Sequence, residues 1–464
     1  MQLSHARPVG SVRFDDPNLM SAAGLVPLVR LAGSAGLGEL ADARLSVPGD
    51  KGANSGRKVM SLVAGMAAGA DSIEDMALLR HGGMGRVFDG AYAPSTLGSF
   101  LRAFTFGHVR QLDAVASRVL GRLAAATPLL AGIDDLALVD LDDTIVEVHG
   151  YAKAGAGFGY SGVRGLNAAA ATVSTATTAP VIVATRLRKG SAASARGAGR
   201  ITADAVTTVH RLRSQDAIGM VLVRADSAYY GRPTILAAVK AGARVSVTVR
   251  QDARVKAAIA AIDPHAWTTI EYPSAVRDPD TGTWISRAEV AEIPFTAFAS
   301  KKAAERVPGR LVVRRIPDLN PPADPDQAAL FEVFRFHAFF TTSDLDTVTA
   351  DKVHRGHAII EQVFADLKGS ALAHLPSGRF AANSAWLVLA SIAFNLTRAA
   401  GTIAGGPHAR ATTATIRRRI INVPARIASS ARRLTLHLPT RWPWQDAWET
   451  IIATAFGPPA TAAT

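Results

Sequence analysis

The 464-residue chain contains no cysteine. That excludes disulfides, thiolate zinc sites and cysteine nucleophiles, and it suits a reducing cytoplasm. Acidic residues are in short supply: 38 Asp and Glu stand against 51 Lys and Arg, a formal net charge of +13. An excess of that size in a globular chain points to a polyanionic partner, nucleic acid first and an anionic membrane surface second. Charged residues make up only 19% and hydrophobic ones 48%, which excludes wholesale disorder and provides for real cores. The opening MQLSHARPVG has no apolar centre, so no secretory signal is read there. The most apolar segment, AWLVLASIAFNL (Ala385–Leu396), is too short to span a bilayer and carries Ser391 and Asn395. It predicts a buried core helix in a soluble, cytoplasmic protein. No internal repeat is present, and the length suggests roughly two to four domains.

Residues 1–130 show apolar side chains at three- and four-residue spacings, which predicts a helical N-terminal region. Within it, PSTLGSFLRAF offers Ser95 as a helix cap, with Leu97, Phe100, Leu101 and Phe104 on one face. GDKGANSGRK (Gly49–Lys58) lacks the spacing of a phosphate loop and reads as a basic surface loop.

From Leu136 the texture changes to strands, at Leu136–Val148, Gly165–Thr175 and Ala179–Leu187. A helix (Thr202–Ser214), a buried strand (Gly219–Asp226), a helix opened by Pro and closed by Gly (Arg232–Gly242) and a strand (Ala243–Arg250) follow. Three strands that can meander, then strands joined by helical crossovers, predict a mixed sheet covered by helices. Residues 255–344 interrupt this order with short strands and turn signals such as DPDTGTWIS. Long helices resume at Asp351. From Gly401 the chain has eight Arg against only Asp446 and Glu449, which reads as a basic helical tail.

LVDLDDTIVEV places Asp140 and Asp142 on one face of a strand and Asp143 on the other. Asp226 ends a different buried strand, where open sheets place ligand sites. The plain alternative is that Asp226 caps the helix beginning near Arg232. In KVHRGHAIIEQVFADLK, read as one helix, His354, His357, Glu361 and Lys368 form a polar stripe beside an apolar face. A solvated surface is the usual meaning of such a stripe, and a zinc site from His354, His357 and Glu361 lacks a convincing further ligand. Carboxylates converging from separate elements make a site for Mg²⁺, which takes oxygen ligands. Two such ions can drive phosphodiester displacement.

Asp140 and Asp142 in D-x-D-x-T also match the nucleophile motif of haloacid-dehalogenase-like phosphatases. That reading needs a later pair of acids, whereas SAYYG follows Asp226, and it needs a helix where strand continues after Thr144. The context instead resembles the DDE transposases of bacterial insertion sequences. Their first Asp lies in D-x-T on the first strand, matched by Asp142-Asp143-Thr144, and their second in a D-x-x-Y-like turn, matched by Asp226 in RADSAYYG. Their Glu lies in Y-x2-R-x3-E-x6-K. Glu361 and Lys368 keep that spacing, while His354 and His357 occupy the Tyr and Arg positions and Arg355 is offset by two.

The resemblance covers about 131–400. It implies a ribonuclease-H-like catalytic domain at 131–254 and 345–400, a β-rich insertion at 255–344, a helical DNA-end-binding region at 1–130 and the basic tail at 401–464. It implies that Asp142, Asp226 and Glu361 bind two Mg²⁺, with Mn²⁺ able to substitute, and that Asp140 is the rival of Asp142. His357, Lys368, His354 and Arg355 become candidate DNA contacts, and Trp284 a candidate for stacking on an unpaired base. The implied activity is cleavage at insertion-sequence ends and transfer of the 3′-OH into target DNA. The partners are double-stranded terminal inverted repeats and target DNA, with no membrane and a homodimer in the synaptic complex, in the bacterial cytoplasm at the nucleoid. The alternatives are a DNA-binding relative without catalysis, the haloacid-dehalogenase-like phosphatase using Asp140 and Asp142, and a related nuclease that cuts without rejoining.

Overall fold

Leu136–Glu147 forms a 12-residue strand, β1, in the large sheet of the protein. The computed structural model describes residues 10–88, 90–271, 288–317, 334–430 and 433–457. β2 (Arg164–Ser174) returns antiparallel along β1, with Glu147 opposite Gly165, and β3 (Val181–Lys189) pairs antiparallel with the far edge of β2. β4 (Met220–Ala225) and β5 (Arg244–Thr248) then pair parallel on the other side of β1. The spatial order is thus β3-β2-β1-β4-β5. Parallel pairing requires crossovers, and helices at Ala198–Leu212 and Arg232–Lys240 supply them. The run Ala168–Ala171 on β2 is buried on both faces; side chains of this size let covering helices come close.

The segment between β5 and the late helices extends this same sheet. It opens with a helix at Ala253–Ala260 and continues as β6 (Thr268–Ile270), β7 (Ala288–Ala297), β8 (Val307–Pro317) and β9 (Phe334–Thr341). β9 pairs antiparallel with β5, and β8, β7 and β6 follow outward. With a two-residue strand at Gly157–Phe158 beside β2, the result is a ten-stranded mixed sheet flanked by helices. The DPDTGTWIS turn and Trp284 lie outside the described residues.

Twelve helices are used below, numbered along the chain. α1 (Leu25–Ser34), α2 (Leu37–Arg44), α3 (Ser55–Ala68), α4 (Pro94–Arg102) and α5 (Phe106–Ala126) precede the sheet. α6 (Ala198–Leu212), α7 (Arg232–Lys240) and α8 (Ala253–Ala260) are those already placed. α9 (Thr347–Arg355), α10 (Ile359–Lys368), α11 (Phe380–Ala404) and α12 (Gln445–Phe456) follow. α4 begins on Pro94, with Ala93 at the cap position, so Ser95 lies inside the helix rather than capping it. Leu97, Phe100, Leu101 and Phe104 are buried as their spacing predicts.

α11 is longer than its apolar centre suggested, 25 residues, and passes for a membrane span by length and composition alone. It is buried instead, packed against β3, α3, α4, α5 and α12. Asn395 explains its place: its amide accepts the Ile182 N–H at 2.8 Å and donates to the Ile182 carbonyl at 2.7 Å. One side chain thereby pairs the free backbone edge of β3. A single buried apolar cluster runs from α1 through the sheet and α11 to Trp448 and Ile451 of α12.

Two expectations give way here. The tail is not purely helical: Ala425–Ser430 and Arg433–His437 form antiparallel strands, and Leu19–Met20 adds a third. Ala425 and Ile427 are buried while Arg426 and Ala428 are exposed, a period-two pattern that the arginine count had masked. The Gly49–Lys58 segment is not simply a basic surface loop either. Lys58 lies in α3, buried, and its Nζ donates to the carbonyls of Lys51 at 2.8 Å and Ala53 at 2.6 Å. Its ammonium satisfies backbone acceptors that the loop leaves unpaired, and burial lowers its pKa.

Candidate active site

β1 and β4 run parallel with Leu141 opposite Ala225. The next residue of β1, Asp142, and the residue that follows β4, Asp226, therefore stand side by side where β4 stops. Asp142 accepts the backbone N–H of Asp143 at 2.7 Å. Asp226 accepts the Ala228 N–H at 3.0 Å and caps the short Ser227–Tyr229 turn, not the helix at Arg232. Neither of these carboxylates has a cationic hydrogen-bond partner among the described residues. Burial pushes Asp142 up to about 6, with Asp226 and Asp143 repelling its charge and His357 opposing the shift. Burial likewise raises Asp226 above the ordinary carboxylate range.

Two neighbouring acids on the same strands are already committed. Asp140, fully buried, receives Arg224 Nε and Nη2 at 2.7 Å each and lies 3.1 Å from His357 Nδ1. Arg224 also donates to the Val353 carbonyl at the end of α9. Asp143, on the opposite face, is held by Tyr229 Oη at 2.7 Å, Arg188 Nη2 at 3.0 Å and the Asn167 amide. Of the four acids, Asp142 and Asp226 are the pair left to meet a ligand. The bidentate guanidinium occupies both carboxylate oxygens of Asp140.

The segment read as one helix from Lys352 to Lys368 is two. α9 ends at Arg355, a 3₁₀ turn spans Gly356–Ala358, and α10 resumes at Ile359. A Cβ on Gly356 would meet Arg224 Nη1 at 2.9 Å, so the break occurs where the helix must pass close to that guanidinium. The break disperses the polar stripe. His354 turns away into the sheet, stacked on Phe339 at 4.0 Å between ring centroids, with Nδ1 2.9 Å from Ser246 Oγ and Nε2 3.0 Å from Thr248 Oγ1. Burial pushes it down to about 3, a neutral packed histidine rather than a metal ligand. Arg355 pairs with Asp351 at 2.8 Å, and Asp351 also receives Arg314.

His357, in the turn, stays with the carboxylates and acts electrostatically on both Asp142 and Asp226. Glu361 follows one helical turn later on α10, which packs against β1, and its side chain is exposed. Lys368 closes α10, and partial burial holds its pKa below the lysine value. Among the described residues, no three His, Asp or Glu side chains are gathered closely enough to hold a metal ion. The donor chemistry still fits a hard divalent cation, because a half-buried Asp142 and a more exposed Asp226, close enough to repel, offer only oxygens.

Arg224 and Asp143 were not singled out from the sequence. The signal was available: a charge inside the buried run GMVLVRAD needs a buried partner.

Acids held at adjacent strand ends of a helix-flanked mixed sheet, in a strongly basic chain, suit an enzyme that acts on nucleic acid. The chain belongs to the transposase DDE domain group 1 family, whose model matches residues 2–455. It is accordingly an enzyme that cleaves and transfers DNA strands. No curated protein matches the chain.

Proposed function

We propose that this transposase cuts at the ends of an insertion sequence and joins the freed 3′-OH to target DNA. Asp142 and Asp226 are its metal ligands, with Glu361 of α10 drawn to them when metal binds, since the three are not gathered without it. The observation that carries the reading is the Asp142–Asp226 pair, side by side with raised pKa values while Asp140 and Asp143 are neutralised. The strand order β3-β2-β1-β4-β5 supports a ribonuclease-H-like domain that extends into a β-rich insertion.

Two Mg²⁺, or Mn²⁺, bound there would supply an activated water or 3′-hydroxyl and stabilise the departing oxygen. The chain's own residues do the rest. Asp142 and Asp226 fix the two strand-end positions, and Glu361 completes the set from α10. Asp140, itself locked by Arg224, orients the His357 ring beside the pair. His357 and Lys368 face the phosphates near the scissile bond, whereas His354 and Arg355 hold the α9 end in place. The N-terminal helices and the basic tail, joined through α11, grip the terminal inverted repeats, and two copies hold two ends as a homodimer. The absence of cysteine and the burial of α11 support a cytoplasmic enzyme.

The test is cleavage of DNA carrying the element's ends, with Mg²⁺ and with chelator. Metal-dependent nicking followed by strand transfer is expected. End binding without nicking would favour the non-catalytic relative, and release of phosphate from small monoesters would favour the phosphatase.

A further inference from the structure

The hairpin connection that follows β1 is unlike the rest of the surface. Between Glu147 and Arg164 it carries Tyr151, Phe158 and Tyr160, whose exposures are 95%, 65% and 110%. Water-exposed aromatics at this density mark a binding surface rather than a core. The charge pattern agrees. From Val148 to Ala203 the chain has seven Lys and Arg and no Asp or Glu. Lys189 and Arg196, on the neighbouring connection after β3, are exposed and have no carboxylate partner among the described residues.

The connection is anchored. Lys153 Nζ donates to the Leu375 carbonyl, Ala154 N to Gly378 O at 2.9 Å, and Gly190 N to Gly155 O at 3.0 Å. Gly155, at φ +85°, lies against Phe380 of α11, where a Cβ would come within 2.8 Å of the ring. Arg164 sits over the Tyr151 ring at 5.2 Å and donates to the Gly150 carbonyl. The rings are thus presented on a held loop, which lowers the ordering cost of binding.

Its position is set by register. β1 continues past the end of β4 for six residues, Asp142–Glu147, so the connection starts five residues beyond Asp142. At ~3.3 Å per residue that is about 17 Å from Asp142, or roughly five nucleotides of a stacked strand.

We propose that Tyr151, Phe158 and Tyr160, flanked by Lys189 and Arg196, form a stacking platform for unpaired bases of a DNA strand about five nucleotides from the catalytic carboxylates. Ring faces stack on bases without regard to sequence, and the adjoining cations follow the backbone. The proposal rests on the catalytic reading for its place in the reaction. Its test does not need catalysis.

The full chain carrying Asp142→Asn is titrated into a single-stranded oligothymidylate containing one 2-aminopurine, and into the same sequence as a duplex. The expected result is a change in probe fluorescence with the single strand. Changing all three aromatics to Ala should remove it and weaken single-strand binding about tenfold or more, with duplex affinity nearly unchanged. Tyr151→Phe and Tyr160→Phe should retain both. Undiminished single-strand binding by the triple variant would overturn the platform. So would equal loss of single-strand and duplex binding, or a change in sedimentation alone, which would assign the patch to a second copy. Lack of metal-dependent cleavage by the unsubstituted chain would instead count against the catalytic reading.

Discussion

Arg224 Nε and Nη2 grip the two carboxylate oxygens of Asp140 at 2.7 Å each, inside the sheet, while Asp140 Oδ1 also lies 3.1 Å from His357 Nδ1. One ion pair therefore joins β1, β4, the end of α9 and the histidine beside the candidate ligands. Asp140→Asn leaves the Arg224 charge buried without compensation, and we expect it to cost about 3–5 kcal/mol in urea unfolding. Replacing the pair by Asp140→Leu with Arg224→Met should recover most of that stability. Cleavage should stay lost in the double variant, because His357 has lost its anchor. Full cleavage by a stable double variant would show that the pair serves the fold alone.

The Asp142–Asp226 pair should behave oppositely. Asp142 is raised to about 6 in the folded chain, so the native state holds its proton more tightly than the unfolded state does. Stability from this group is present below the unfolded pKa near 4 and is lost as pH rises through about 6. At pH 8 without divalent metal, Asp142→Asn should therefore stabilise the protein, by about 1–2 kcal/mol after allowance for solvent screening. Thermal melts at pH 4 and pH 8 check this. The same variant, and Asp226→Asn, should abolish cleavage and leave end binding nearly intact.

His354 gives a second pH dependence. Its folded pKa, lowered to about 3, lies below the unfolded value near 6.5. The unfolded chain takes up the proton first, so stability is lost as pH falls from 6.5 toward 3, at about 1.4 kcal/mol per pH unit. His354→Gln, which keeps polar partners for Ser246 and Thr248, should flatten that slope in unfolding titrations between pH 6.5 and 4. DNA affinity should be unchanged; a selective loss of DNA binding would restore His354 as a contact.

Lys368 ends α10 on the exposed side. If it neutralises one phosphate, Lys368→Ala should weaken binding across sequences and reduce the slope of log affinity against log salt by about 1. An unchanged slope would remove it from the interface.

Much of the fold was legible along the chain because it is written in local patterns. The runs at Leu136, Arg164, Val181, Met220 and Arg244 alternate or stay apolar over strand lengths, and Pro and Gly punctuate the Arg232 helix. The order of these elements fixes parallel or antiparallel pairing, and with it the placement of Asp142 beside Asp226. Spacing along a helix was a weaker guide: His354 and His357 fit one stripe only if the helix is continuous. The break at Gly356 lies against Arg224, a residue 132 positions earlier whose guanidinium fills the space a side chain there would take.

The same limit separates the acids. Asp140, Asp142 and Asp143 are nearly equivalent by composition and spacing, and strand alternation sorts them only by face. Which carboxylates are neutralised was decided by Arg224, Arg188 and Tyr229, brought in from other strands and turns. A charge is felt across a few ångströms of low-dielectric interior, whatever the separation along the chain. The sequence by itself determined the strands, their order and the candidate acids; the packing between strands decided which of those acids remain open to a ligand.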